Sequence, residues 1–194
     1  MDLSKVGNLI YSLRKEKGMT QKEMASIMNI SDKTISKWER GLGCPDVSLL
    51  PELSALLGVN IEKILLGELD PNEYFGGNMK NLKFYVCPEC NNIITSTSTA
   101  SISCCGRKVD ELEPVKADEN HTLSLETIEY EWFITTNHPM AKDHYISFVA
   151  YVTGDKLLMA KQYPEWPIQL RFQKFGRGKL YTYCTQHGLS YQLI

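Results

Sequence analysis

The residues that constrain this chain most are its histidines, because all four lie between residues 121 and 187. His138 and His144 are six residues apart, and His187 follows Cys184 by three. Imidazole and thiolate both bind transition metals when deprotonated. The segment therefore predicts one mononuclear metal site, with His121 as the fourth imidazole in a β-like stretch. The competing interpretation is that these side chains are scattered loop and core residues.

Length and composition describe an ordinary globular chain. Its 194 residues are 43% hydrophobic and 23% charged, and no apolar run approaches the roughly 20 residues that a membrane span needs. The N-terminal residues lack the apolar core of a signal peptide, so we expect a cytoplasmic protein without membrane contact. The formal net charge of −2 does not by itself indicate nucleic-acid binding. A whole-chain sum can hide a local patch, however, and residues 14–40 contain seven basic and four acidic side chains.

Six cysteines in such a compartment are better explained by metal than by disulfides, since cytoplasmic thiols are kept reduced. Cys87 and Cys90 are three residues apart, and Cys104 and Cys105 follow as an adjacent pair. Four thiolates complete a tetrahedral shell for iron or zinc, and the ligand types alone do not choose between the two. The segment is too short for much of a core, so we expect metal to hold it together.

The first third of the chain is predicted to form five short helices, because its apolar residues recur at helical spacing. Thr20, with Glu23 three residues later, predicts a capping box before a helix that starts at Gln21. Ile27 is expected to face inward from that helix. The next helix, residues 32–40, carries most of its charged side chains on one face.

The pattern from Thr20 to Gly41, Thr-Gln-x3-Ala-x5-Ser-x3-Ile-Ser-x-Trp-Glu-x-Gly, resembles the helix-turn-helix of Cro-like and phage-repressor-like (XRE-type) regulators. The resemblance implies that the first helix of the motif crosses the phosphate backbone of a double-stranded DNA operator. The second helix would lie in the major groove, with its lysines at base edges. The residues implied in DNA binding are Gln21, Asp32, Lys33, Ser36, Lys37 and Arg40.

The adjacent cysteines of Cys104-Cys105-Gly106 resemble the desulforedoxin-type iron centre. In desulfoferrodoxins that centre precedes a superoxide-reductase domain, which is the order found here. A zinc ribbon would have nearly the same spacing, so the metal at this site is iron or zinc.

Beyond Glu113-Pro114 the hydrophobic period changes to two, which is typical of β-strands. Turn signals such as Gly176-Arg177-Gly178 separate the segments. Several short strands divided by turns indicate a β-sandwich. The predicted strands are residues 124–134, 146–152, 156–160, 168–172 and 180–183.

Two motifs resemble the iron centre of superoxide reductases, the family of neelaredoxin and desulfoferrodoxin. They are Asn-His-Pro-Met-x3-His-Tyr-Ile at residues 137–146 and Cys-x2-His-Gly at 184–188. The family has an immunoglobulin-like sandwich, four equatorial imidazoles and one axial cysteinate around iron, and an open sixth position. Its reaction is the one-electron reduction of superoxide to hydrogen peroxide. By this resemblance the iron ligands are His121, His138, His144, Cys184 and His187.

One position departs from that family. The histidine that matches His121 commonly follows a Glu-Lys pair, whose lysine steers superoxide and supplies a proton, whereas this chain has Glu119-Asn120. Glu119 remains a carboxylate able to occupy the sixth iron position, and Lys142 could partly replace the missing cation. The resemblance therefore predicts the metal site, and the loss of one cation near it is expected to slow the capture of superoxide.

The chain is predicted to be a multidomain α + β protein. Its parts are a five-helix helix-turn-helix bundle at residues 1–68, a linker at 69–81, a four-cysteine metal ribbon at 82–112 and an immunoglobulin-like β-sandwich at 113–194. We expect a transcriptional regulator that binds a DNA operator as a homodimer. Its iron region would sense redox state or a small oxidant such as superoxide. The alternatives are a superoxide reductase with a DNA-binding head, and a regulator with purely structural zinc in both sites.

Overall fold

The computed structural model describes residues 1–70 and 79–194. The chain divides into two compact units, residues 1–71 and 72–194. Most of the predicted linker, residues 71–78, lies outside the described residues, while Met79–Asn81 forms a short 3-10 turn. None of the helices in the described ranges is long and apolar enough to cross a membrane.

The first unit contains five α-helices, as predicted, and a short 3-10 helix at Val47–Leu49. The α-helices are α1 (Leu3–Glu16), α2 (Gln21–Ile27), α3 (Asp32–Glu39), α4 (Leu50–Leu57) and α5 (Ile61–Leu66). The predicted capping box begins α2, because the Thr20 hydroxyl accepts from the Glu23 N–H and the Glu23 carboxylate accepts from the Thr20 N–H. Gly58 and Gly67, both with left-handed backbone, end α4 and α5.

The helical unit is built around one apolar core, in which α1 and α3 approach each other closely at Gly7. A Cβ on Gly7 would lie 2.3 Å from the carbonyl oxygen of Trp38, so only glycine permits this approach. The core includes Met24 and Ala25 of α2 and Met28, the C-cap residue of that helix. The expectation that Ile27 faces inward was wrong, since its side chain is 52% exposed. Its three neighbours already form the buried stripe of this short helix.

The four-cysteine segment forms two small antiparallel hairpins. Their strands are β1 (Lys83–Val86) with β2 (Ile93–Ser96), and β3 (Ile102–Cys104) with β4 (Arg107–Val109). The two faces of β1 have different neighbours. Tyr85 packs with Cys87 and Val109 in a small core of the ribbon, whereas Phe84 and Val86 pack on the β-sheet that follows. The ribbon is therefore attached to the following sheet by apolar packing, in addition to any metal that its cysteines bind.

The remaining strands form two sheets, as a sandwich requires. The strands are β5 (Val115–Lys116), β6 (Ser124–Ile128), β7 (Glu131–Thr135), β8 (Ile146–Val152), β9 (Leu157–Lys161), β10 (Gln169–Gln173), β11 (Lys179–Cys184) and β12 (Gly188–Leu193). One sheet has the order β5-β12-β11-β8-β9 and the other β10-β7-β6. All neighbours are antiparallel except β5 and β12.

Strand β8 is buried along its whole length because both faces of its sheet are covered. Val149 and Tyr151 pack with residues of the three-stranded sheet, such as Ile134. Phe148 points the other way and stacks on Phe84 of β1, with ring centroids 5.5 Å apart. A strand that is buried on both faces has few polar positions, which explains the almost continuous apolar run of this segment.

Two details differ from the strands expected from the sequence. Residues 124–134 do not form one strand but the hairpin of β6 and β7, turning at Glu129, which has φ of +52°, and at exposed Tyr130. His121, expected in a β-like stretch, lies in a turn before β6. This turn forms because its backbone N–H groups donate hydrogen bonds to the side chain of Asp118.

Candidate metal centres and DNA-binding surface

The four cysteines of the ribbon converge. The Sγ atoms of Cys87, Cys90, Cys104 and Cys105 all lie within 4.8 Å of one another, and all are free thiols. The sulfurs of Cys90 and Cys104 are 3.6 Å apart. A tetrahedral site with metal–sulfur bonds of about 2.3 Å has sulfur–sulfur edges of roughly 3.8 Å. The cluster therefore fits one metal ion, and its donor set suits iron and zinc alike.

Two tight turns present these sulfurs, and the turns set the acidity of the thiols. The backbone N–H of Cys90 lowers the pKa of the Cys87 thiol from 9.0 to about 7. On the opposite turn Cys105 and Gly106 have φ of +51° and +75°, and a hydrogen bond with Cys90 raises the pKa of Cys105 to about 12. Four thiolates this close repel one another, so a bound cation is needed to keep all of them deprotonated.

The second cluster is assembled from separate segments of the sandwich. His138 and His144 lie on the loop between β7 and β8, Cys184 ends β11, and His187 lies in the turn to β12. The ligand atoms of His121, His138, Cys184 and His187 all lie within 4.8 Å of one another. The ring of His144 joins them, with its centroid 4.7 Å from that of His138 and 4.9 Å from that of His187. The structure thus brings together all five predicted side chains.

Unpaired buried nitrogens indicate that this cluster suits a cation. Both ring nitrogens of His138 and Nε2 of His144 are buried and have no hydrogen-bond partner among the described residues. His121 Nε2 lies 2.9 Å from His187 Nδ1, which is 3.4 Å from Cys184 Sγ. Burial lowers the pKa of His138, so its imidazole stays neutral and able to bind metal. Four imidazoles and one thiolate fit a first-row transition metal.

Hydrogen bonds from the β11–β12 turn hold the loop that carries His138 and His144. Thr185 N–H donates to the Tyr145 carbonyl at 3.0 Å, and Tyr145 N–H donates to Thr185 Oγ1 at 3.2 Å. Gln186 Nε2 donates to the Asp143 carbonyl at 3.4 Å. The sequence prediction missed Thr185 and Gln186 as anchors. The only feature of the sequence that points to them is their position between Cys184 and His187.

The turn that carries His121 has its own anchors, which the sequence prediction also missed. The Asp118 carboxylate forms a hydrogen bond with the ring Nδ1 of His121 at 2.5 Å. At the other end of the turn, Gln192 of β12 accepts from the Leu123 N–H at 2.7 Å and donates to the Leu123 carbonyl at 3.1 Å. An aspartate three residues before a histidine is too common a pattern to predict this contact.

The imidazoles open onto a cavity of about 940 Å³. Glu119 and Asn120 line it, as does Asp118. Lys142, expected to replace the missing cation, is not among the lining residues; its amine lies 3.9 Å from the Glu165 carboxylate and its side chain is 79% exposed. The described residues that line the cavity include two carboxylates and neither lysine nor arginine.

The outer face of α3 carries most of the side chains expected to contact DNA. Asp32, Lys33, Lys37 and Arg40 are exposed, and Ser36 is half-buried. The Arg40 side chain donates to the Ser36 carbonyl at 3.1 Å, and the Asp32 carboxylate accepts from the Lys33 N–H at 2.9 Å. Gln21, expected at a phosphate, instead donates to the Glu39 carboxylate at 2.7 Å.

Comparison with known proteins adds to this geometry. The family model described as Helix-turn-helix matches residues 10–64. An uncharacterized HTH-type transcriptional regulator of Sinorhizobium fredii is 43% identical over 61 residues, which cover 31% of this chain and 79% of that protein. The chain belongs to the helix-turn-helix family. This helix-turn-helix protein spans less than half the length of other curated relatives, 44% for a desulfoferrodoxin and 29% for the transcriptional activator BcrR of Enterococcus faecalis.

The helix-turn-helix unit is joined to a region with other relatives, as the motifs predicted. The desulfoferrodoxin, from Clostridium acetobutylicum, is 36% identical over 55 residues, which cover 28% of this chain. The superoxide reductase of Treponema pallidum aligns with 57% of this chain and 97% of its own, with a TM-score of 0.50. At 19% identity this likeness is one of fold alone.

Proposed function

We propose that this helix-turn-helix protein is a DNA-binding transcriptional regulator whose C-terminal region binds iron and responds to redox state or to a small oxidant. The observation that carries the proposal is the convergence of four imidazoles on one cavity, with the buried Cys184 Sγ within 4.8 Å of the ligand atoms of three of them. A regulator that only needed a rigid scaffold would gain nothing from buried, unpaired imidazole nitrogens, because burying them without a partner costs free energy.

The DNA-binding half of the proposal rests on α3. Its exposed Lys33 and Lys37 suit guanine edges in the major groove, and Ser36 and Arg40 suit phosphates. Asp32 would accept from cytosine. One small head gives limited affinity, so we propose that the protein binds paired half-sites as a homodimer.

The sensing half of the proposal rests on the residues around the cavity. Iron held by the five donors would supply a one-electron ferrous–ferric couple, which the Cys184 thiolate would tune. Glu119 lines the same cavity as His121 and would be the carboxylate that occupies the sixth position of the oxidised ion. A movement of Glu119 or of the loop with His138 and His144 would be the structural signal. The four-cysteine site would hold iron or zinc.

The test combines metal analysis with DNA binding. The full chain is purified without oxygen, its iron is measured, and an operator is selected from random duplexes. Operator affinity is then measured with the protein reduced and oxidised. We expect oxidation to change the affinity by about 5-fold or more, in the usual range of allosteric coupling. The His187→Ala variant should lose this response, while the control Cys44→Ser, at a thiol outside both clusters, should keep it.

Three outcomes would contradict parts of the proposal. Zinc or no metal at the histidine cluster would contradict redox sensing, and the proposal would be reduced to a DNA-binding protein. Equal affinities in the two redox states of the iron protein would have the same consequence. If no operator were selected, the proposal that the protein is a DNA-binding regulator would be contradicted.

A second function, superoxide reduction, is favoured by the cavity onto which the imidazoles open, because a small oxidant could reach the metal site through it. The reaction would take one electron from the metal and two protons from water or nearby side chains, giving hydrogen peroxide. Superoxide decay after a radiolysis pulse tests it directly. A rate no faster with the reduced iron protein than in buffer would exclude the enzyme and leave the sensor untouched.

A further inference from the structure

The turn that carries His121 is organised by a single carboxylate. Asp118 Oδ1 accepts from the backbone N–H of Asn120 at 3.1 Å and of His121 at 2.9 Å, and it lies 2.5 Å from the ring Nδ1 of His121. The Asp118 carbonyl accepts from the Thr122 N–H and hydroxyl at 2.9 and 2.6 Å. Both the backbone and the imidazole of this turn are therefore fixed by one residue.

The position of Asp118 is itself fixed by the sheet. It follows β5, which pairs with β12, and the Ala117 N–H donates to the Tyr191 carbonyl at 2.9 Å. Gln192 clamps Leu123 at the far end of the turn. The segment between these anchors has little freedom, so the carboxylate reaches the imidazole from a defined direction.

We propose that Asp118 is a positioning residue for His121, which holds the imidazole in the Nδ1–H tautomer and directs Nε2 into the metal cluster. An ionised carboxylate can only accept a hydrogen bond, so the ring nitrogen that faces it carries the proton. The other nitrogen, Nε2, then presents its lone pair where His187 Nδ1 lies 2.9 Å away. The two histidines thus present opposite ring nitrogens to the same point.

Among the described residues, His121 is the one cluster imidazole with a carboxylate partner. His138 has both nitrogens buried and unpaired, and Nε2 of His144 is also unpaired. His121 needs such a partner most, because it lies on a turn, whereas His138 and His144 share a loop held by the β11–β12 turn. A carboxylate that is hydrogen-bonded to a metal-binding imidazole also makes the imidazole a more basic metal ligand. Losing such a partner typically weakens metal binding about 10–100-fold.

Two substitutions separate the positioning role from a merely structural one. In Asp118→Asn the amide oxygen still accepts from the backbone N–H groups, so the turn is kept while the charge is lost. Asp118→Ala removes both. Asp110→Asn, at an exposed carboxylate of the ribbon segment, is the control for loss of one charge.

The first readout is made without metal. Long-range proton–nitrogen correlation of the imidazoles in the full, metal-free chain reports the tautomer of each histidine. We expect His121 to be Nδ1–H in the unchanged protein and in Asp110→Asn, and a mixture of tautomers in Asp118→Ala. An unchanged tautomer in Asp118→Ala would overturn the proposal.

The second readout is iron affinity. It is measured by competition with a chelator, with the thiolate-to-iron absorption band of Cys184 as the signal. This part rests on the proposed iron site. We expect about 10–100-fold weaker binding in Asp118→Ala and a smaller loss in Asp118→Asn. Wild-type affinity in Asp118→Asn would show that the carboxylate charge is not used, which would overturn the proposal. Failure of the unchanged protein to bind iron would contradict the proposed function instead, while the tautomer result would stand.

Discussion

Arg14 of α1 and Glu39 of α3 form a buried ion pair at the centre of the helical unit. Arg14 Nε donates to Glu39 Oε1 at 2.5 Å and its NH2 nitrogen to Oε2 at 2.9 Å, and both side chains are only 4% exposed. The Met19 carbonyl and the Gln21 amide complete the network at 2.6 and 2.7 Å. The pair joins the first helix to the helix that would enter the DNA groove.

Glu39→Gln should destabilise the helical unit strongly. It leaves the Arg14 guanidinium buried without its counter-charge, and breaking a buried pair on one side typically costs about 3–5 kcal/mol. Urea unfolding followed by circular dichroism at 222 nm would measure this, because the α-helices of the described residues lie in this unit. The exposed pair of Lys5 and Glu68, 3.5 Å apart, supplies the control. Glu68→Gln should cost no more than about 1 kcal/mol, and equal losses in both variants would contradict the assignment.

The capping box of α2 predicts a pH dependence. The Thr20 N–H and hydroxyl hold the pKa of the Glu23 carboxyl below its ordinary value of 4.5. A lowered pKa in the folded state stabilises above the unfolded value and loses that contribution as the pH falls through the folded one. Glu23→Gln should therefore lower the free energy of unfolding at pH 7 and have a diminishing effect as the pH falls below about 4.5.

The matched control for that prediction is Glu62→Gln. Glu62 also lies in the first turn of a helix, but the N-cap of α5 makes no side-chain hydrogen bond. Both variants remove a charge near a helix N-terminus, so only the capping bond distinguishes them. A difference between Glu23→Gln and wild type that stays constant from pH 7 to pH 3 would contradict the role of the carboxylate.

The sequence predicted the parts of this protein that depend on local patterns. The helices follow from apolar spacing and from caps such as Thr20. That the five side chains of the histidine cluster lie together could be predicted because the chain has so few histidines, and because their motifs resemble a known iron centre. A site that needs rare residue types at fixed spacing can be recognised in a sequence even when its residues come from separate segments.

The missed features depend on tertiary structure. The turn at Glu129 and Tyr130 contains no glycine, proline or asparagine, so it looks like the middle of a strand. The packing of Phe84 on Phe148 joins segments distant in sequence. Asp118 and Gln192 resemble ordinary surface residues until the sheet brings them to the turn of His121. Each of these features is set by neighbours that no local pattern encodes.

Removal of metal from the four-cysteine site should unfold strands β3 and β4 of the ribbon and spare the sandwich. Phe84 and Val86 attach β1 to the sandwich, but the ribbon's own core has only three buried residues, Tyr85, Cys87 and Val109. A bound metal would therefore supply much of the stability of β3 and β4. The sandwich has an apolar core between its sheets that contains none of the four cysteines. Cys90→Ser should therefore increase hydrogen exchange in β3 and β4 while the amides of β8 stay protected. Cys44→Ser is the control, and protection of β3 and β4 in both variants would contradict the prediction.

Replacing Asn120 by lysine should speed the capture of an anionic oxidant. The cavity wall holds the carboxylates of Asp118 and Glu119 and no described lysine or arginine, so an anion approaches against like charge. A unit charge about 6 Å from superoxide in water contributes roughly 0.7 kcal/mol, which corresponds to about a threefold gain in rate. Stopped-flow or pulse-radiolysis measurement on the reduced, iron-loaded protein would give the second-order rate constant.

The salt dependence shows whether Asn120→Lys acts by charge. At physiological ionic strength the screening length is about 8 Å, so the gain should be largest at low salt and shrink as salt is added. Gln173→Lys places the same charge at an exposed position at the end of β10, outside the cavity lining, and should leave the rate constant near that of the wild type. An equal gain in both variants would mean that net charge, and not the cavity wall, controls the encounter. A gain that persists at high salt would mean that the lysine acts as a proton donor, since proton transfer at short range is not screened.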